Sequence, residues 1–279
     1  MPDTSLRMPA AAAPLLLESD AAYFEAGALV QAIEGAVLAR IPGLERLPAA
    51  AVVHRVNPAA IASSADGWLN DLEALLRAHG ILHARLYLQR GPVEIESALR
   101  RGGYAEEREL GLLRLTGPVP AAAESFPRVT LEEITDEAGW AEKRRIHAAT
   151  ATNPDGRPAD PADWCGMERS RVRHGYMVPY LIRAGRAACG TVCLADRGPL
   201  LRFKNLLIHP DWRRRGYASA TVVEILRLAV ARHAMVGCFG LASGSVLPLY
   251  DRAGFLEVAG QTEWTKPLAT RKPGSHANR

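Results

Sequence analysis

One stretch limits what the chain can fold into more than any other: Leu206 to Ser219, which reads LLIHPDWRRRGYAS, with the apolar run that follows it. Three consecutive apolar residues predict a buried strand, Pro210 marks a turn, and the run after Ser219 predicts a helix. A helix N-terminus has unpaired amide groups and partial positive charge, so it readily binds an anion. We therefore expect a phosphate-binding loop between this strand and this helix.

The residue types in the loop suit this chemistry. Gly216 lets the backbone approach a ligand closely, and the small Ala218 and Ser219 leave room for it. The arginines at 213–215 supply charge-assisted hydrogen-bond donors. The alternative is a basic surface turn that only caps a helix.

The hexapeptide from Arg213 to Ala218, RRRGYA, has the form R-x-x-G-x-A. It resembles the signature Q/R-x-x-G-x-G/A of the GCN5-related N-acetyltransferase (GNAT) family, which holds the pyrophosphate of acetyl-CoA. The resemblance implies that amides from Arg213 to Ser219 cradle the diphosphate, and that those of Leu206 to Ile208 pair with the pantetheine arm and polarise the thioester carbonyl. The cofactor-binding residues implied by it are Leu206, Leu207, Ile208, Arg213, Arg214, Arg215, Gly216, Tyr217, Ala218, Ser219 and Ser243.

A second segment, Ala242 to Phe255, resembles the family's "N…A..LY…GF" segment. This resemblance implies that Tyr250 is the catalytic residue that donates a proton to the departing CoA thiolate. A phenol with a pKa near 10 is protonated at neutral pH and suits that task. Ser243 stands where many members have Asn, which leaves a hydroxyl for the cofactor. The alternative for Tyr250 is a packing role in the core.

The general base is not identified. Many family members place an acid on the strand before the phosphate loop, but this chain has Arg202, Lys204 and Asn205 there. The candidates that stay open are His147, Asp163, Glu168 and His209.

Acceptor specificity is expected in the loop from Asn153 to Trp164. Its acids Asp155, Asp160 and Asp163 could attract an ammonium group, and Trp164 could pack over it. The alternative is an ordinary solvated loop.

The order of predicted elements gives the fold class. We predict helices at Ser19–Ala39, Trp68–Ala78 and Val93–Arg101 in the first half, with strands between and after them. From about residue 128 the predicted order is strand, two helices, three strands, helix, strand, helix, strand, which is the order of GNAT folds. We therefore expect an α+β protein of the three-layer α/β/α type, with a mixed, twisted sheet flanked by helices in two tandem GNAT-like copies. The predicted bounds are a loose leader 1–18, a degenerate copy 19–116, a linker 117–127, a catalytic copy 128–268 and a disordered basic tail 269–279.

An internal echo supports the two copies. RGGY at 101–104 lies 151 residues before RAGF at 252–255. The same offset moves the phosphate loop to about Ala62–Gly67, which has no arginine, and replaces Tyr250 by Leu99. The first copy is therefore expected to lack cofactor chemistry. Chance similarity of a short helix and turn is the alternative.

Composition excludes several classes. Hydrophobic residues make up 48% and charged residues 23%, as in ordinary globular chains. The net charge of +4 is too modest for a nucleic-acid-binding protein with a broad basic face. The apolar patch Pro9–Leu17 is too short to span a membrane. The four cysteines have no zinc-site spacing and fit free thiols in a reducing cytoplasm.

Together these observations and the resemblance predict a cytoplasmic enzyme, a monomer or homodimer with no metal, nucleic-acid or membrane partner. It would transfer an acetyl group from acetyl-CoA to a primary amine, on a small molecule or a peptide, by direct attack in a ternary complex. An acetyl-CoA-binding sensor or scaffold without turnover and a basic interaction module stay as alternatives.

Overall fold

The computed structural model describes residues 9–89, 93–118, 125–150 and 160–268. The helices in this part of the chain are α1 Ala12–Glu25, α2 Pro58–Ile61, α3 Ala65–Ala78, α4 Val93–Arg101, α5 Glu137–Thr150, α6 Pro161–Arg173, α7 Tyr217–Val230 and α8 Leu247–Arg252. The strands are β1 Leu29–Ile33, β2 Ala36–Arg40, β3 Ala51–His54, β4 His83–Leu88, β5 Ala105–Leu115, β6 Thr130–Glu133, β7 Val178–Ala184, β8 Ala187–Arg197, β9 Leu200–Ile208, β10 Met235–Leu241 and β11 Leu256–Pro267. Among the described helices, none combines the length and the apolar composition that a bilayer-spanning segment requires.

The chain forms two compact units. The larger unit contains the described residues of Met1–Gly27 and Glu107–Gln261, and the smaller unit those of Ala28–Glu106 and Thr262–Arg279. The protein is thus α+β with mixed sheets, as predicted.

The larger unit has three layers. Its strands lie in the order β11-β5-β10-β9-β8-β7-β6. One face packs against α7 and α8, in a core that includes Phe203, Ile225 and Val236. The other face packs against α5 and α6 around Leu181, and against α1 around Leu113. Successive residues of a strand point to opposite faces, so these alternating apolar positions hold helices on both sides.

The smaller unit repeats part of this plan. Its strands lie in the order β1-β2-β3-β4-β11, with β3 and β4 parallel. Helices α3 and α4 contribute Trp68, Leu72 and Leu99 to one core with Leu86 of β4 and Trp264 of β11.

Each copy ends in a strand that joins the other unit. β5 follows α4 in sequence, yet Glu109–Leu115 pairs with β10 of the larger unit. β11 follows α8, yet Thr262–Pro267 pairs with β4 of the smaller unit. The units therefore differ from the predicted bounds 19–116 and 128–268, which follow the sequence copies. Strand pairing over such distances leaves no local signal in the sequence.

The N-terminal region also differs from its prediction. The expected helix over Ser19–Ala39 is wrong: α1 already ends at Glu25, and the β1–β2 hairpin follows. Gly27 and Gly35 adopt φ values of +71° and +61°, which end the helix and form the hairpin turn. Residues 12–18 of the expected loose leader belong to α1, and Leu16 is fully buried. The predicted tail 269–279 lies outside the described residues, as does part of the linker 117–127.

The two echo segments have the same backbone geometry. Gly103 and Gly254 have φ values of +79° and +80°. In each copy the following amide donates to a carbonyl five residues back, Tyr104 N to Leu99 O and Phe255 N to Tyr250 O, both at 3.0 Å. This shared helix ending supports two copies of one unit over chance similarity.

A buried ionic network fixes α1 to β9 within the larger unit. Asp20 on α1 forms ion pairs with Arg202 and Lys204 and accepts a hydrogen bond from Gln261 Nε2 at 2.7 Å. Burial alone would raise the pKa of Asp20, but the two cations hold it well below its usual range. Asp20 and Arg202 are each 1% exposed, so neither charge has water as an alternative partner.

We predict that Asp20→Asn lowers the free energy of unfolding by about 3–5 kcal/mol, because it removes the carboxylate that is ion-paired with buried Arg202. The matched control is Asp66→Asn, which breaks an ion pair with Arg101 of similar length, 2.8 Å, whose side chains are 67% and 61% exposed. That control should change stability little, since exposed pairs contribute little. Urea unfolding followed by circular dichroism measures both, and equal losses would contradict the prediction.

Candidate functional site

The central strands of the larger unit separate at one end. β9 and β10 run parallel and pair at three positions, from Leu200 with Met235 to Arg202 with Gly237. Beyond this point their pairing ends, although β9 continues to Ile208 and β10 to Leu241. The backbone of 203–208 therefore has no strand partner on its β10 side among the described residues. Such backbone groups are obligatory hydrogen-bonding groups that a ligand could satisfy.

A β-bulge lies in this unpaired part of β9. On β8, Thr191 pairs with Leu207 and Cys193 with Lys204, so two residues of β9 face Val192 alone. Asn205, the first residue of the bulge, has a left-handed φ of +55°. A bulge bends its strand and re-aims the following residues.

The predicted strand, turn, loop and helix all occur in the order expected. A short 3₁₀ turn, Pro210–Trp212, follows β9. Arg214 and Gly216 then adopt φ values of +61° and +83°. Gly216 is the N-cap of α7, and no side chain caps this helix end. The amides that begin α7, at 217–219, thus keep the anion-binding character of a free helix N-terminus.

The arginines of the loop are exposed at 213–215. Arg213 Nε donates to the carbonyl of Ile208 at 2.9 Å, which ties the loop to the end of β9. The structure thus brings the predicted cofactor-binding residues 206–208 and 213–219 together at the end of one strand.

Tyr250 lies on the inner side of α8. Its ring centroid is 6.0 Å from that of Phe203 on β9 and 5.7 Å from that of Phe255. Its side chain also lies beside the thiol of Cys238 on β10, and the residue is 7% exposed. Burial raises the pKa of Tyr250 well above 10, with Cys238 adding to the effect. The phenol is therefore protonated, and it contacts both strands that separate.

Three other residues predicted for the site form hydrogen bonds within the protein. Ser243 Oγ donates to Glu107 Oε1 at 2.9 Å. Asp160 caps α6 by accepting from the amide of Ala162 at 2.8 Å. His209 Nδ1 accepts from the amide of Asp211 at 3.4 Å. Asp155 lies outside the described residues, so most of the expected acceptor loop does too.

A buried charge cluster lies beneath the bulge. Lys143 Nζ on α5 is 3.1 Å from Glu168 Oε2 on α6, and both side chains are 0% exposed. Asn205 Nδ2 donates to Glu168 Oε1 at 2.7 Å. His147 Nε2 lies 3.5 Å from Glu168 Oε2. Burial alone would raise the pKa of Glu168, but Lys143, with His147 and Asn205, lowers it to about 2.

Sequence reasoning named Glu168 and His147 as possible bases but missed Lys143. A signal for it exists: Trp140, Lys143 and His147 recur at helical spacing on one face, so the lysine lies on the buried face of α5. A lysine at such a position requires an anionic partner.

The same cluster contains potential metal ligands. Ligand atoms of His147, Cys165 and Glu168 lie within 4.8 Å of one another. However, both oxygens of Glu168 already have partners, and a metal ion would compete with the ammonium of Lys143. Burial also raises the pKa of the Cys165 thiol to about 12, so a metal would have to displace its proton. We therefore attribute the charge balance of the cluster to Lys143.

All four cysteine thiols are protonated at neutral pH. Burial raises the pKa of the thiols, to about 11 for Cys189 and about 12 for Cys165, Cys193 and Cys238. None forms a disulfide. A thiol with such a pKa is a poor nucleophile, so a covalent acyl-enzyme is disfavoured.

Comparison with solved structures decides the fold. A GCN5-related N-acetyltransferase from Kribbella flavida superposes with a TM-score of 0.61 at 14% identity, over 96% of this chain and 98% of that one. The chain has the GNAT fold. A second GNAT protein, from Sphaerobacter thermophilus, matches with a TM-score of 0.57 at 16% identity, over 85% of this chain and 82% of that one. A conserved protein of unknown function from Staphylococcus epidermidis matches with a TM-score of 0.63 at 11% identity, over 86% and 93%.

These matches span both units of the chain, since each covers most of the sequence. No protein-family model matches the sequence, and no curated protein matches it. The GNAT fold thus occurs here at only 14% and 16% identity to the two GNAT structures compared.

Glu168 predicts how stability depends on pH. Its folded-state pKa of about 2 lies below the ordinary 4.5, so the unfolded chain binds more protons in acid. The contribution of this ion pair to the free energy of unfolding is complete above the unfolded pKa and is lost as the pH falls towards the folded one. We expect the urea midpoint to decrease from about pH 5 to pH 3. The double variant Lys143→Met/Glu168→Leu, which lacks both charges, should show a shallower decrease, and an unchanged slope would contradict the assignment.

Proposed function

We propose that the protein is an N-acetyltransferase that transfers the acetyl group of acetyl-CoA to a primary amine by direct attack in a ternary complex. The observation that carries the proposal is the separation of β9 from β10 beside the uncapped N-terminus of α7. One site thereby offers a strand edge without a partner on its β10 side for an extended thioester arm, and a cationic helix end for its diphosphate.

In this proposal the amides of Leu206, Leu207 and Ile208 bond the pantetheine arm and polarise the thioester carbonyl. Backbone donors held in this way stabilise the oxyanion of the tetrahedral intermediate. Arg213 and Gly216 to Ser219 hold the diphosphate, with exposed Arg214 and Arg215 adding charge. Ser243 can donate a hydrogen bond to the cofactor only if its hydroxyl leaves Glu107.

Tyr250 is the proposed general acid. Its high pKa keeps the proton on the phenol until the CoA thiolate departs. Its contacts with Phe203 on β9 and Cys238 on β10 hold it at the two strands between which the thioester would lie.

The acceptor is a small-molecule or peptide amine that approaches from the α5–α6 side, where Asp163 and Trp164 lie in the first turn of α6. We also propose that the protein works in the cytoplasm, because its cysteines are free and buried, as in proteins of reducing compartments.

The smaller unit is proposed as a scaffold. The start of α3 and the first turn of α4 line a cavity of about 400 Å³ there, at the place that the 151-residue offset assigns to the phosphate loop. Asp66 forms an ion pair with Arg101 at this place, and Leu99 replaces the tyrosine. An acid at a helix N-terminus opposes a diphosphate, and an aliphatic side chain has no proton to give.

The second candidate is an acetyl-CoA sensor without turnover. It is favoured by the composition of β9, which carries Arg202, Lys204 and Asn205 but no acid that could serve as a base. The two functions differ in whether Tyr250 affects a rate.

We predict that Gly216→Ala lowers acetyl-CoA affinity at least about tenfold. The added methyl group would lie 3.2 Å from Pro127 Cδ, at a φ of +83° that side chains rarely adopt. The control is Gly185→Ala, which also places a methyl group at positive φ (+61°) in the larger unit but meets no atom within 4 Å. Isothermal calorimetry with acetyl-CoA measures both. Absence of binding to the unmodified protein, or equal losses in both variants, would refute the proposal.

We predict that Tyr250→Phe lowers kcat roughly 100-fold, the magnitude expected for loss of general acid catalysis. Acetyl-CoA affinity should stay within about twofold, because the ring and its packing remain. An acceptor panel assayed by CoA release supplies the rate. Tyr176→Phe removes another buried phenol, which donates to the carbonyl of Ser19, and should affect stability but not rate. An unmodified protein that binds acetyl-CoA but turns over no amine of the panel would favour the sensor.

A further inference from the structure

Asn205 on β9 has a left-handed backbone conformation that requires a structural explanation. A non-glycine residue at φ +55° is uncommon, and asparagine tolerates this region better than most residues. The strain lies one residue before Leu206–Ile208, whose amides the proposed function assigns to the thioester. Strain of this kind persists only where the surroundings enforce it.

The side chain of Asn205 contacts the buried cluster. Asn205 Nδ2 donates to Glu168 Oε1 at 2.7 Å, while Glu168 Oε2 faces Lys143 Nζ at 3.1 Å. Lys143 Nζ also donates to Thr191 Oγ1 at 2.7 Å. Thr191 pairs with Leu207 at the edge of the bulge. These contacts therefore link Asn205 on β9 to Thr191 on β8, at the point where the register between the two strands shifts.

We propose that Glu168, held by Lys143, is a positioning residue: through Asn205 it keeps β9 bulged, so that the backbone groups of Leu206–Ile208 that do not face β8 are directed into the gap beside β10. The inference rests on the proposed function for what those backbone groups bind, and it gives the cluster a role in shaping β9.

Energetics supports a positional role over a purely stabilising one. Taking a lysine and a glutamate out of water is costly, and well-packed apolar residues in place of a buried ion pair are often as stable. The carboxylate does what an apolar residue could not, because it accepts the amide hydrogen bond of Asn205 in a fixed direction.

The first experiment compares Asn205→Ala with Asn205→Gly. Both remove the side-chain amide, but only glycine adopts positive φ without strain. We expect Asn205→Ala to bind acetyl-CoA about tenfold more weakly than Asn205→Gly, because the competent conformation becomes the minor one. Equal affinities of the two variants would overturn the inference.

The matched control uses Arg55 in the smaller unit, another non-glycine residue with a left-handed φ, +51°. Arg55→Ala and Arg55→Gly should bind acetyl-CoA equally, whatever they do to stability. A difference as large as that at Asn205 would show that strain anywhere weakens binding and would overturn the inference.

The second experiment tests whether Glu168 acts through Asn205. Lys143→Met/Glu168→Leu removes both charges together and leaves no uncompensated ion. Combined with the natural Asn205, it should weaken acetyl-CoA binding about tenfold; combined with Asn205→Gly, it should have no further effect. Equal losses in both backgrounds would mean that Glu168 is merely structural. If the double variant does not fold, as judged by circular dichroism, the comparison at Asn205 decides.

A measurement without cofactor separates this inference from the proposed function. Amide hydrogen exchange of Leu206–Ile208 in the free protein should change in Asn205→Ala and much less in Asn205→Gly. Failure of the unmodified protein to bind acetyl-CoA would refute the proposed function, while identical exchange in the two variants would refute the positioning role.

Discussion

The early end of pairing between β9 and β10 is the constraint on which the site depends. Two parallel strands would ordinarily pair along their shared length, and each residue added to the ladder would satisfy backbone groups. Here the ladder stops after three pairs, and β9 alone continues with a bulge. Unpaired backbone groups on the β10 side are confined to the second half of β9. The loop that leads into α7 begins where this part of the strand ends. In the proposed function, these unpaired backbone groups are the ones that bind the thioester arm.

One face of β9 carries charged residues, whereas its other face is apolar. The alternation of the strand sends Leu201 and Phe203 into the apolar core with α7 and α8. The opposite face carries Arg202 and Lys204, which meet Asp20 of α1. The Lys143–Glu168 pair follows along the same side. These buried charges must be paired to be tolerated, so they fix the helices against the strand more specifically than apolar contacts would.

Much of the larger unit could be predicted from the sequence because its signals are local. β9, the turn at Pro210 and α7 follow from an apolar run, a proline and a glycine, and the order of elements indicated the fold. The exchange of β5 and β11 was not predictable, since pairing between distant strands depends on packing rather than on local pattern. The helix predicted over Ser19–Ala39 is wrong because the alanines and leucines of this segment favour a helix by their local propensity. In the structure, Gly27 ends α1 and Gly35 forms the turn of the β1–β2 hairpin. In the sequence, Asn205 stands out only because it occupies a strand on which many family members have an acid. Its structural role depends on a hydrogen bond to Glu168 that the spacing of the two residues does not reveal.

The exchange of final strands has a consequence for synthesis of the chain. The smaller unit includes residues 28–106, but its sheet is completed by Thr262–Pro267, which leave the ribosome only after the larger unit's segment Glu107–Gln261. Until then β4 lacks its antiparallel neighbour, and Trp264 is missing from the core that it fills. Residues 28–106 are therefore translated well before the strand that completes their sheet, so that segment alone is not a complete folding unit.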